Sequence, residues 1–273
     1  MPSSGVIHHA YLRWLLTQGE RPWTSGVEVG TDGWLFGRAA LHARRAPGNT
    51  CLSALRNAQA IGSPPVARND SKGCGGVMRV APIGLLGGED PDAVFGLAAD
   101  AAALTHGHPA GFLSAGHFAA TVYLLRRGLP LGEAVDHATG LLRRRERSAE
   151  TVEAVAAGRG LAACGRPSPE RIETLGGGWV AEEALAIALC CALSATGFKD
   201  GVLLAANHSG DSDSTAAMTG NLLGTLLGEY AIPPELRNGL ELGQEIALLA
   251  DDLHGAMTGA LDPEAIWDRY PGW

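Results

Sequence analysis

Asp211 and Asp213 stand two residues apart behind Gly210, with Ser212 and Ser214 interleaved and a long apolar segment, Ala216 to Leu227, directly after them. In a turn that opens into a helix, this spacing lets hard oxygen donors converge on one point, as Mg²⁺, Mn²⁺ or Ca²⁺ requires. The same residue types cap helices, because Asp and Ser accept hydrogen bonds from first-turn amides. Both readings stand at this level. An EF-hand is excluded. With Asp211 at the first loop position, the required glycine falls on Ala216 and the bidentate glutamate on Leu222.

Two further stretches carry polar chemistry. Asn69 to Arg79 is a glycine-rich turn before an apolar segment, and Gly73, Gly75 and Gly76 would let an amide nest approach phosphate oxygens. It is not a Walker loop, since Lys72 precedes the glycines, nor a Rossmann fingerprint, since no strand leads into it. A Gly-rich turn is also, commonly, just a turn. Leu104 to Pro109 places His106 and His108 two apart at a helix end. They could touch a ligand or move a proton, or serve as partners for terminal carbonyls. No nucleophile elbow is present: Ser114 precedes Gly116, but residue 112 is Phe.

The elements that must position these groups read as helices almost throughout. Of 273 residues, 46% are hydrophobic but only 5% aromatic, which favours close-packed helices over a β-sandwich. Periodicity predicts helices over Ile7–Thr17, Asn49–Ala60, Pro91–Leu104, Gly111–Arg127, Leu131–Arg144, Glu150–Cys164, Val180–Ala195, Ser214–Tyr230 and Leu242–Met257. Val180–Ala195 and Ala216–Leu227 are apolar on nearly every face and should lie centrally. Thr31–Leu35 and Gly201–Leu204 are the two weak strand candidates. No linker or repeat divides the chain, so one domain over residues 1–273 is expected. Net charge of −8 disfavours nucleic acid and anionic membrane as partners, and no apolar run reaches bilayer length. There is no secretory signal pattern at the N-terminus. The five cysteines lack C-x-x-C pairing, which points to free thiols, Cys190 and Cys191 in the core, and a cytoplasmic location.

Four stretches together are more specific than any one. Ser71 to Pro82, Leu104 to Pro109, Gly178 to Ala184 and Gly210 to Thr215 resemble, in order, the motifs of the ADP-ribosylglycohydrolase (dinitrogenase-reductase-activating glycohydrolase-like) family. The resemblance runs from about Ile7 onward. It implies an all-α, orthogonal multi-helix bundle with ligands held by inter-helix loops. It also implies hydrolysis of the glycosidic bond between ADP-ribose and a protein side chain or related acceptor, usually with two Mg²⁺ or Mn²⁺ ions. By the same resemblance Asp211, Asp213 and Ser214 are metal ligands. Ser71, Gly73, Cys74 and Gly75 match the loop that cradles the diphosphate, Met78 follows it, and His106 matches a histidine facing ADP-ribose. Cys74 stands where many members carry Asn.

The chain also departs from the family. A Gly-rich helix and Thr-Asp-Asp-Thr group, which normally supply the other half of the metal site, have no match, so the domain is expected to be N-terminally incomplete. No catalytic carboxylate is identifiable. The expected partner is ADP-ribose or an ADP-ribosylated protein. The alternatives are a non-catalytic ADP-ribose-binding module and a structural, crystallin-like member.

Overall fold

The computed structural model describes residues 3–86, 88, 90–262, 264 and 266–271; the domain limits at residues 1 and 273 lie outside them. All regular structure among these residues is helical, joined only by two isolated bridges, Ala60 to Ser63 and Gly73 to Val180. The chain runs α1 (Ser3–Thr17), α2 (Asn49–Arg56), α3 (Ala81–Leu86), α4 (Pro91–Ala103), α5 (Pro109–Arg126), α6 (Leu131–Arg143) and α7 (Ala149–Ala163). It continues through α8 (Pro169–Ile172), α9 (Ala181–Ser194), α10 (Phe198–Ala206), α11 (Ser212–Leu227), α12 (Pro234–Arg237) and α13 (Gly243–Thr258). All nine helices expected from periodicity are present, and the fold is the expected all-α bundle.

Helix starts follow from local chemistry. Asp90 caps α4 by accepting from the Asp92 amide at 2.9 Å, with Pro91 at the first helical position. His108 caps α5 in the same way: its Nδ1 accepts from the Ala110 amide at 3.1 Å, ahead of Pro109. This corrects the carbonyl-partner reading of His108, which serves a helix start and not a helix end.

The main core gathers α3 to α7, α9 and α11. Its axis is α5, buried from Pro109 to Leu125 except at Phe112. α9 is central as expected, with Cys190 and Cys191 fully buried. α11 is not. It buries one face through Ser214, Thr215, Met218, Thr219, Leu222 and Leu223, while Leu226 and Leu227 stay exposed. Apolarity on every face overstated its burial, because only α5, α9 and α10 pack against it closely. A smaller core of Leu12, Leu15, Leu52, Leu55 and Ala58 joins α1 to α2.

Neither strand candidate forms. Gly201–Leu204 lies inside α10, where Gly201 packs against Leu223 of α11. Thr31–Leu35 is an irregular turn that reverses at Gly33, whose φ of 89° a strand residue would not adopt. The short helices α3, α8, α10 and α12 were not expected, since so few residues give no readable period.

Candidate active site

Four loops meet at one end of the bundle, and backbone hydrogen bonds stitch them together. The Lys72 carbonyl accepts from the Ala181 amide at 2.7 Å, and the Cys74 amide donates to the Trp179 carbonyl at 3.1 Å. The Asp211 amide donates to the Gly177 carbonyl at 2.7 Å. Glu183 closes the turn between these seams, accepting from the amides of Gly177 and Gly178 at 3.0 and 3.1 Å. Gly210 lies flat on the Gly177 backbone, where a Cβ would collide. The side chain of Lys72 pairs with Glu150 of α7 and Glu182 of α9, which anchors the glycine-rich loop from behind. The two carboxylates raise the Lys72 pKa, and Lys72 lowers that of Glu150.

His106 supports this loop from beneath. It is 1% exposed, and Gly73, Gly75 and Gly76 all lie against its ring, Gly76 so closely that a side chain there would require the ring to give. Its Nδ1 shares a 2.8 Å hydrogen bond with Thr105 Oγ1, which in turn accepts from Arg79 Nη2 at 2.6 Å. Burial, then the Arg79 charge, pushes its pKa down to about 3, so the ring is neutral at pH 7.

In front of the loop lies a cavity of about 830 Å³. Cys74, Gly75, Met78, Asp211, Asp213 and Ser214 line it. Ser71 and Gly73 do not; they sit at its edge, Ser71 Oγ 3.0 Å from Thr50 Oγ1 and accepting from the Gly73 amide at 3.3 Å. The amides of Gly73 and Cys74 are therefore engaged within the protein. Of the later glycines, Gly75 lines the cavity and Gly76 is buried behind it.

Asp211 takes the N-cap position of α11 but makes no capping bond with its side chain. Its Oδ2 instead accepts from the Cys74 thiol at 2.8 Å. Burial, then Asp211, pushes the Cys74 pKa up to about 12, so the thiol stays protonated and donates. Ser214 Oγ lies 3.8 Å from Cys74 Sγ and donates to Met78 Sδ at 3.7 Å. Asp213 is exposed and makes no hydrogen bond to any described residue. Among the described residues, no three His, Cys, Asp or Glu side chains are gathered for a metal ion.

Several cavity residues were missed. The facing wall carries Tyr11 and Trp14 of α1 and Cys51 and Leu55 of α2. Their i, i+3 and i, i+4 spacing reads as a core stripe, and nothing in their types separates them from one. Trp179, 63% exposed, overhangs the cavity. Arg79 bridges the two walls, its Nε donating to Tyr11 OH at 3.0 Å and its Nη1 to Cys51 Sγ at 3.4 Å. Both Arg79 and Trp179 stand inside or beside the quoted motifs, where a cation and an aromatic face next to a glycine-rich turn were available as a signal.

The family model for ADP-ribosylglycohydrolase matches residues 2–262. The ADP-ribosylarginine hydrolase Tri1 of Pseudomonas putida (strain GB-1) is 39% identical over 71 residues, which are 26% of this chain and 19% of that protein. The matched part is thus about a fifth of the relative's length. A solved structure described as an ADP-ribosylglycohydrolase-related protein complex superposes with a TM-score of 0.63 at 29% identity, covering 77% of this chain and 69% of its own. From the match of its family model over residues 2–262, the chain belongs to the ADP-ribosylglycohydrolase family.

Proposed function

We propose that the cavity binds ADP-ribose and hydrolyses its glycosidic bond to a modified protein side chain. The observation that carries this reading is the convergence of Asp211, Asp213 and Ser214 with the glycine-rich loop on one cavity. Cleavage of a glycosidic bond passes through an oxocarbenium-like state, whose positive charge two adjacent carboxylates stabilise. The Cys74 thiol orients the Asp211 carboxylate, leaving Oδ1 for the ligand side. Gly75 lets a diphosphate approach the backbone, and the Arg79 guanidinium contributes positive charge at the same cavity. Trp179 offers an exposed ring for a ribose or base to rest on.

Mg²⁺ or Mn²⁺ belongs to the same proposal. Mg²⁺ is commonly held by one or two carboxylates, with water and substrate oxygens completing its shell. Asp211, Asp213 and Ser214, on one helical turn, fit one such ion and provide no second set for a pair. When bound, the ion would supply Lewis-acid charge and an activated water. A cytoplasmic location suits the five free thiols. No described helix is long and apolar enough to cross a membrane.

The test is release of ADP-ribose from mixed ADP-ribosylated proteins, with Mg²⁺ and with EDTA. Asp213→Ala is expected to lower release by about 10²-fold or more, in line with the loss of one charge-stabilising group. Because Asp213 makes no hydrogen bond or ion pair to a described residue, the variant's thermal midpoint should match wild type. Equal release with and without Asp213 would end the hydrolase reading at this site. A second reading, an ADP-ribose-binding module without catalysis, is favoured by the cavity's lining, which holds no carboxylate besides Asp211 and Asp213. Saturable ADP-ribose binding without release would select it.

A further inference from the structure

A second cavity, of about 240 Å³, lies on the other side of α2. Cys51 and Leu55 face the cavity described above, whereas Ser53 and Ala54 of the same helix and Asn57 at its C-cap line this one. No Asp or Glu is among its lining residues, although the whole chain carries a net charge of −8. The pocket is therefore positive within an acidic protein.

His8 defines its chemistry. The residue is 2% exposed, and its Nδ1 accepts from the Gly62 amide at 2.7 Å. Burial, then the neighbouring His9, pushes its pKa down to about 4, so at pH 7 the ring is neutral. A neutral imidazole that accepts at Nδ1 carries its proton on Nε2. That N–H has no partner among the described residues, and His8 lines the cavity. The Nε2 atom is not among the buried unpartnered ones, so its N–H is open to an acceptor in the cavity. Arg68, also in the lining, is exposed and makes no ion pair or hydrogen bond to a described residue. A guanidinium without a carboxylate partner, an imidazole N–H and the unengaged hydroxyl of Ser53, lining one cavity, are a donor set for an oxyanion. Pro64, Ala67 and Leu104 supply an apolar floor.

We propose that this cavity is a binding site for a small phosphate monoester, separate from the glycohydrolase cavity. Arg68 and His8 Nε2–H hold the phosphate, and the apolar floor takes the organic group. The site does not depend on the hydrolase reading, since it shares no lining residue with the larger cavity.

Isothermal titration at pH 7 with phenyl phosphate tests it, and inorganic phosphate in a second arm reads the anion contacts alone. Both probes are expected to bind saturably, phenyl phosphate more tightly. Arg68→Gln should weaken both by about tenfold or more, the loss of one charge-assisted bond. Arg68 has no partner among the described residues, so a thermal midpoint equal to wild type will show that the variant is folded. Arg68→Lys should recover part of the affinity, and Asp213→Ala should leave it unchanged. Absence of saturable binding at millimolar probe overturns the proposal. So does binding that survives Arg68→Gln, and so does binding that is lost in Asp213→Ala, which would put the probe in the larger cavity.

Discussion

The two walls of the main cavity are held by different forces. The wall carrying Asp211, Asp213 and Cys74 is polar and stitched by backbone bonds between residues 72–74, 177–181 and 211. The facing wall of Tyr11, Trp14, Cys51 and Leu55 is mostly apolar and rests on the small core between α1 and α2. Directional bonds fix atoms to within fractions of an ångström, and packing fixes volume more than position. The reactive groups therefore sit on the wall whose geometry is set by bonds. The opposite wall sets how large a ligand fits. Arg79 is the tie between them.

The comparison breaks most directly at Gly210. A methyl there meets the Gly177 backbone, so Gly210→Ala must part the two loops. The expected cost is about 3 kcal/mol, at the upper end of overpacking effects, with loss of ADP-ribose binding. Chemical denaturation and titration calorimetry measure the two effects, and an unchanged midpoint would show that the stitched wall is not stiff.

Acid tests the underside of the same wall, with an effect of comparable size. His106 is neutral in the fold with a pKa near 3, against 6.5 for an unconstrained histidine. The unfolded chain thus binds the extra proton first as pH falls. Stability contributed by the neutral ring is complete above pH 6.5 and is lost progressively between about 6.5 and 3, at about 1.4 kcal/mol per pH unit. His8 adds a similar loss over its narrower window, down to about 4. Denaturation midpoints across pH 7 to 4 should fall, and His106→Gln should flatten that slope relative to wild type. A midpoint independent of pH in this window would mean that the ring is not held neutral under the glycines.

The smallest effect is expected at the tie itself. Tyr11→Phe removes the acceptor of the 3.0 Å bond from Arg79 Nε and leaves the ring under the guanidinium, 4.4 Å from its centroid. A cost of about 1 kcal/mol or less is expected, read in urea unfolding. A larger loss would mean that the apolar wall leans on this bond more than on its own core.

Much of the fold was legible before any coordinates. Helices such as α4, α6 and α7 announce themselves through apolar spacing over three or more turns, and α4 also carries its Asp90 cap. α10 escaped because Gly201 to Leu204, taken alone, looks like a short apolar strand. α5 could not be ranked as the axis of the bundle. Ser114, His117 and Thr121 dilute its apolar character, yet all three are buried.

Six of the nine candidate site residues reach one cavity, and the other three occupy its edge and underside. Motif order alone could not separate these roles. His106 reads as a ligand-facing side chain until the three glycines are seen packed on it.

The sequence by itself determined which residue types could act: two carboxylates and a hydroxyl before a helix, glycines that admit a close ligand, and a helical chain to carry them. Types and local spacing are properties of a short segment and survive without tertiary context. Only the tertiary structure decided which polar groups remain open to a ligand. Cys74 is turned onto Asp211, His106 is covered and the Gly73 amide is used, whereas Asp213 and the Arg68 guanidinium stay available. For Cys74 and for the support beneath His106 the partners lie more than 20 residues away in the chain, Asp211 for the Cys74 thiol and Thr105 for the Arg79 guanidinium. Partners at such separations are chosen by packing, which no local pattern encodes.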